Sequence, residues 1–273
     1  MARARLIFNI LFTRGQTHRY GSHRSQLADL HLPSGSRASG GPYPVMILLH
    51  GGSWQKRYGR VVMRGLVRDL LRRGWAVWNI EYRRLGDGGG WPMTFADVAA
   101  AIDELSELGD ARLDLSRVNI LGHSAGGHLA LWAAGREKLP PDAPGAVAGP
   151  PRVRLERAIS QAGVCDLAGG YRDWGGGALK ALMGGSPDEL PERYAAADPL
   201  ANVPLDIPVL IVHGVLDATV SIELSRRYTR AAGGSVELVE IDGEAGAHRA
   251  HIDSRGAAWA EVARRLHPDA LAP

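Results

Sequence analysis

Short apolar runs alternate along this chain with longer stretches whose apolar residues recur every three or four positions. Residues 45–49, Val-Met-Ile-Leu-Leu, are short and unbroken, which predicts a strand buried on both faces. The run enters a glycine turn, His50-Gly51-Gly52-Ser53-Trp54. Over 61–73, Val62, Leu66, Leu70 and Leu71 share a helical face, and Gly74 supplies the stop. Residues 75–82 read as the next strand. Pro92 opens a second helix, with Phe95, Val98, Ala99, Ile102 and Leu105 on one face, running to about Leu108. A short strand over 118–121, a turn over 122–126 and a small-residue helix over 125–135 follow. Strands that alternate with helices in this way predict a mainly parallel sheet with helices on both faces.

Beyond residue 135 the rhythm changes. Residues 136–152 are rich in Pro, Gly and Ala and read as a surface loop, and 157–164 resumes as a strand. Residues 165–206 hold many turn-forming Gly and Pro residues among short helical pieces, so they are either a segment covering the substrate or an ordinary long connection. A strand over 207–213, a helix over 221–232 ending at Gly233-Gly234, a strand over 236–241 and a closing helix over 252–266 complete the pattern. With no internal repeat and no linker, residues 1–273 are expected to form one domain, with 165–206 a candidate lid inside it.

Composition narrows the classes. A chain of 273 residues, 45% hydrophobic and 22% charged, can bury a large core without staples. Its one cysteine, Cys165, allows no internal disulfide, and no Cys/His cluster suggests a metal site. Glycine, at 35 residues, is about twice its usual frequency and has no three-residue period, which points to turns rather than collagen. The net charge of +3 hides a basic first third: residues 1–84 hold 15 Lys/Arg against 3 Asp/Glu. These arginines are scattered, with no run of five and no interleaved aromatics, so no nucleic-acid partner is expected. The apolar stretch Leu6 to Phe12 is interrupted by Asn9 and is far too short to span a bilayer, which needs about 20 residues. The expected location is cytoplasmic.

Gly122-His123-Ser124-Ala125-Gly126 matches the G-x-S-x-G nucleophile elbow, a motif whose meaning depends on context. Here a strand enters it and a helix leaves it. A sharp turn there would lift Ser124 above the sheet edge, and its flanking glycines avoid clashes. The Ala125 N–H, at the helix start, can face a developing oxyanion. Gly52 and Ser53, in a His-Gly-Gly loop that follows a strand, are the candidate partner donors. His50 is expected to tie that loop and Trp54 to pack. A serine needs a base and an acid, and in this arrangement they follow in the order Ser, acid, His. Asp217 stands just past a late strand in His213-Gly214-Val215-Leu216-Asp217, with Asp166 and Asp242 as rivals. His248 and His251 both follow the last strand, and spacing alone does not choose between them. His123 and His128 are expected to be structural.

With these motifs in view, the chain from about Leu27 to its end resembles the α/β-hydrolase esterases and lipases that carry H-G-G-x-W, G-H-S-A-G-G-H and a late H-G-x-x-D. Within them it is similar to kynurenine formamidase-like and related small bacterial esterases. Such relatives place Ile-Asp four and five residues after the catalytic histidine, and Ile252-Asp253 stand at those offsets from His248. The resemblance therefore selects His248. The chain departs from the pattern at Arg249, where Phe is expected, and at Ser53, where a larger residue is common.

The resemblance implies an α/β-hydrolase fold and a serine hydrolase cleaving small carboxylic esters, with catalytic Ser124, Asp217 and His248, oxyanion donors Gly52, Ser53 and Ala125, and no metal or cofactor. The enzymatic alternative is an arylformamidase acting on N-formylkynurenine, since ester and amide share a tetrahedral oxyanion. The alternative of another class is a non-catalytic binding protein on a hydrolase fold.

Overall fold

The structure, a computed structural model, describes residues 15–34 and 42–266. The apolar stretch Leu6 to Phe12 lies outside the described residues. Eight strands form one sheet: β1 (Gln16–Arg19), β2 (Leu27–His31), β3 (Tyr43–Leu49), β4 (Ala76–Ile80), β5 (Leu113–His123), β6 (Leu155–Gln161), β7 (Val209–Gly214) and β8 (Val236–Ile241). They lie in the order β1-β2-β4-β3-β5-β6-β7-β8. From β4 to β8 the pairs are parallel, while β1 pairs β2, and β2 pairs β4, in the antiparallel sense.

The central strand shows why the apolar run folds this way. All seven residues of β3 are buried, and side chains alternate between faces. Val45, Ile47 and Leu49 join one core with Trp78, Phe95 and Trp132, while Met46 and Leu48 join the other with Leu66, Leu70 and Trp259. Helices α1 (Arg64–Arg72) and α8 (Ala257–Arg265) pack on the second face, and α2 (Met93–Glu107) and α3 (Ala125–Ala134) on the first. Nine of the ten residues of α3 are buried, so it lacks a polar stripe.

What lies outside α3 is the 165–206 segment, folded as α4 (Leu167–Trp174), α5 (Gly177–Met183) and α6 (Pro191–Ala197). It is anchored from within. His128 Nε2 and Trp132 Nε1, both on α3, donate to the carbonyls of Ala197 (2.9 Å) and Ala196 (3.0 Å). Leu179, Met183 and Tyr194 enter the same core as β3 and β5. The last long helix, α7 (Ile222–Ala232), follows β7.

Some expected bounds shift. The strand expected at 118–121 begins at Leu113, because its polar first half pairs with Tyr43 and Pro44. The helix expected over 61–73 opens with a 3-10 turn, Arg60–Met63. The closing helix expected over 252–266 starts only at Ala257: a separate 3-10 turn spans His248–Ile252, and Asp253 to Gly256 break the helical path. β1 and β2 had no counterpart in the apolar pattern. Among the described residues no helix is long and apolar enough to cross a membrane.

Candidate active site

Every candidate residue lies where a parallel strand ends at its carboxyl edge. β5 ends at His123 and α3 begins at Ala125, which leaves Ser124 as the hinge, at φ 55° and ψ −122°. A non-glycine residue in that region is strained and persists only when its surroundings over-determine it. Here the Ser124 N–H donates to the Gln161 carbonyl at 2.9 Å. The flanking glycines are required by space, since a Cβ on Gly122 would lie 1.9 Å from the Gly126 carbonyl oxygen, and one on Gly126 2.0 Å from that of Leu49.

The loop after β3 folds against this turn. A Cβ on Gly51 would lie 2.6 Å from the His123 carbonyl oxygen and 2.9 Å from Ser124 Cβ. Gly52 has φ 122°, and Ser53 and Trp54 have φ 51° and 56°. No acceptor among the described residues takes the N–H of Gly52, Ser53 or Ala125. At Ala125 this is the ordinary state of a helix's first N–H. Trp54 is buried edge-on to His128, with ring centroids 5.5 Å apart.

His50 ties the loop down. One ring nitrogen meets the Gly51 carbonyl at 2.8 Å and the other meets Glu81 Oε1 at 2.7 Å, while the ring stacks on Tyr82. The Tyr82 hydroxyl donates to the His50 carbonyl at 2.7 Å. Burial alone would raise the Glu81 carboxyl, but the His50 contact and the Arg84 charge outweigh it and hold the pKa below the usual value. Arg84 reaches Glu81 at 2.9 Å and also bonds the carbonyl of Tyr58, whose ring abuts Gly52.

The acid and base come from the loops after β7 and β8. His248 Nδ1 and Asp217 Oδ2 are 2.7 Å apart. Asp217 Oδ1 accepts the Thr219 and Val220 N–H groups at 2.8 and 3.1 Å, which fixes the carboxylate plane. Burial would raise this carboxyl, but His213, His248 and the Val220 N–H outweigh it and hold it far below the ordinary range. His213 acts as a near neighbour: its Nε2 is 3.6 Å from Asp217 and donates to the Val220 carbonyl at 2.9 Å.

His248 stands beside the Ser124 turn, its ring 4.7 Å from that of His123, and His123 Nε2 donates to the His248 carbonyl at 2.9 Å. The structure brings Asp217 and His248 into contact but forms no hydrogen bond between Ser124 and His248. Such contacts often tighten only when substrate is bound. The rivals lie elsewhere. Asp166 caps α4 and pairs with Arg227 at 2.7 Å, and Asp242 is exposed. The His251 ring is buried with both nitrogens unpartnered, and burial lowers its pKa to about 4.

Three supporting residues escaped the sequence reading of function: Glu81, Gln161 and, as a partner of the base, His123. Their partners lie 31, 90 and 125 positions away, beyond any spacing rule.

Residues 28–231 match the family model described as BD-FAE. Esterase LipC of Mycobacterium tuberculosis is 25% identical over 229 residues, 77% of this chain and 52% of that protein. Esterase LipQ of the same organism is 28% identical over 234 residues, 78% of this chain and 55% of that protein. The chain thus spans about half the length of these curated relatives. A truncated carbohydrate esterase from gut microbiota superposes with a TM-score of 0.77 at 21% identity, covering 96% of this chain and 98% of that one. The propionate-bound esterase Est2 of Thermogutta terrifontis does so with a TM-score of 0.72 at 23% identity, covering 93% and 94%. These likenesses establish the α/β-hydrolase fold.

Proposed function

We propose that this chain, which belongs to the BD-FAE family and folds as an α/β-hydrolase, hydrolyses carboxylic esters of small molecules with Ser124 as nucleophile, His248 as base and Asp217 as the acid that orients it. The observation that carries the reading is the 2.7 Å contact between His248 Nδ1 and a buried carboxylate, beside a strained turn that presents a serine. Asp217 accepts a hydrogen bond from His248 Nδ1–H and stays ionised, which leaves the Nε2 lone pair of His248 free to take the Ser124 proton. The alkoxide attacks the ester carbonyl. The N–H groups of Gly52, Ser53 and Ala125 are the donors for the oxyanion that results, and no acceptor within the described residues competes for them. The protonated His248 then gives its proton to the leaving alcohol, and water repeats the sequence on the acyl-enzyme.

The names of the relatives and of the carbohydrate-esterase neighbour support esters as the substrate class, and the propionate-bound neighbour supports short acyl groups. Residues 165–206 are read as a fixed covering segment within a single domain rather than a loose flap, because Leu167, Leu179, Met183 and Tyr194 are locked into the core. The test is hydrolysis of p-nitrophenyl acetate and of N-formylkynurenine by the parent and by Ser124→Ala. The parent should prefer the ester, and the variant should lose on the order of 10⁴–10⁶-fold in kcat. A folded Ser124→Ala protein with the parent's rate would overturn the assignment, and preference for the formamide would move the substrate class.

A further inference from the structure

We propose that His123 and Gln161 are positioning residues that together hold the backbone of the 248–252 turn and so set where the His248 imidazole stands relative to Ser124. The proposal rests on the assignment of Ser124 and His248 above.

The turn needs an external hold. His248–Ile252 is a single 3-10 turn preceded by another, Gly243–Gly246, and short 3-10 segments are weakly self-supporting. The hold comes from two side chains that are neighbours before they reach it. His123 and Gln161 are paired positions at the carboxyl ends of β5 and β6, so their side chains leave the sheet side by side. His123 Nε2 donates to the carbonyl of His248, and Gln161 Nε2 to the carbonyl of His251, both at 2.9 Å. The two grips fall three residues apart on one turn, the first of them on the base itself. Gln161 also holds the other half of the pair, since its own carbonyl accepts the Ser124 N–H at 2.9 Å. One strand end thus fixes nucleophile and base to the same point.

The residue types fit this work better than they fit packing. Gln161 is fully buried and leaves Oε1 without a partner, a penalty that leucine would avoid. His123 is buried and neutral, its pKa lowered by burial to about 3. It can therefore donate from Nε2 while placing no positive charge beside the imidazolium that forms on His248, 4.7 Å away. A lysine or arginine could make the same hydrogen bond but would oppose that charge.

The experiment compares His123→Leu, which removes the donor, with His123→Gln, which returns an amide N–H, and adds Gln161→Leu. Readouts are kcat and KM for p-nitrophenyl acetate and the low-field proton NMR signal of the His248 Nδ1–H against Asp217. Loss of the hold should lower kcat by about 10²-fold in His123→Leu, as for a misplacement of about 1 Å, with KM changed less than about threefold. The Nδ1–H signal should shift or broaden, and His123→Gln should recover most of both. Gln161→Leu should move both readouts in the same direction, and it carries the test if His123→Leu does not fold. A leucine variant with the parent's kcat and signal, or a glutamine variant no better than leucine, overturns the proposal. Should the parent hydrolyse no ester, the functional assignment falls, and the NMR comparison still decides whether His123 and Gln161 hold the turn.

Discussion

One methyl group on Gly51 tests whether the loop after β3 is an oxyanion loop. The Gly51 backbone does not lie in the left-handed region, so alanine meets no conformational barrier there and only contacts matter. The added Cβ would stand 2.6 Å from the His123 carbonyl oxygen, 2.9 Å from Ser124 Cβ and 3.0 Å from His123 Nδ1. Ordinary carbon–carbon contact needs about 3.5 Å, so the loop and the Ser124 turn must separate by roughly 0.6 Å. Neither side can yield cheaply. The loop is held through His50, Glu81 and Tyr82, and Ser124 through Gln161. Overpacking of this kind costs about 1–3 kcal/mol of stability. Its effect on rate should be larger in proportion, because donors useful at about 2.7–3.1 Å from the oxyanion would be moved off it, and loss of one donor costs about 10²–10³ in kcat. Gly51→Ala should therefore fold, unfold at somewhat lower urea, and lose about 10²-fold in kcat on p-nitrophenyl acetate with KM little changed. A folded Gly51→Ala protein with the parent's kcat would show that Gly52 and Ser53 do not bind the oxyanion.

Two further outcomes are expected. Asp217→Asn keeps an acceptor for Thr219 and Val220 but offers an N–H to His248 Nδ1, which forces the wrong tautomer; kcat should fall by about 10⁴-fold, and a loss under tenfold would remove Asp217 from the role. Stability should fall as pH drops from about 6.5 toward 4, because burial holds His123, His128 and His251 at about 3, 4 and 4, so the unfolded chain binds three protons that the native state refuses. Asp198, raised by burial to about 6, acts in the opposite sense, since the native state keeps its proton where the unfolded chain has released it. Near pH 5 the net uptake on unfolding is about two protons, or ~3 kcal/mol per pH unit, and urea unfolding at pH 7, 6 and 5 would measure it. A flat profile would contradict the burial of these rings.

The residues that could be read in advance share a property: local spacing determines their environment. The apolar run of β3, the glycines around Ser124 and the order of strand ends are local patterns, and each fell within a few residues of its predicted place. The hairpin β1–β2 did not, because Gln16–Arg19 carries no apolar alternation. It is an edge strand fixed by pairing and by polar contacts such as Thr17 to Asp29 at 2.7 Å, not by burial. The basic first third was legible as charge but not as structure. Arg60 pairs with Asp29, Arg83 with Asp97, Arg84 with Glu81 and Asp87, and Arg73 with Asp69, so several early arginines serve internal ion pairs. Choosing His248 over His251 needed resemblance, because only folding shows which ring meets a carboxylate.

The distribution of strain argues that these elements form one device. Among the described residues four non-glycine positions have positive φ: Ser53, Trp54, Ser124 and Ala162. All four follow the carboxyl ends of three adjacent strands, β3, β5 and β6. Each such residue costs of order 1–3 kcal/mol and persists only under compensation. The compensation is visible as hydrogen bonds to neighbouring elements: Ser124 N–H to Gln161, Ala162 N–H to Val212, and the Trp54 carbonyl to the Leu85 N–H. A chain selected for stability alone would put glycine or a relaxed turn at these points. Instead the strain lies at the carboxyl edge of the sheet, the edge that also carries His248 and Asp217, and the buried bonds of His50, His123 and Gln161 tie the loops of that edge to one another.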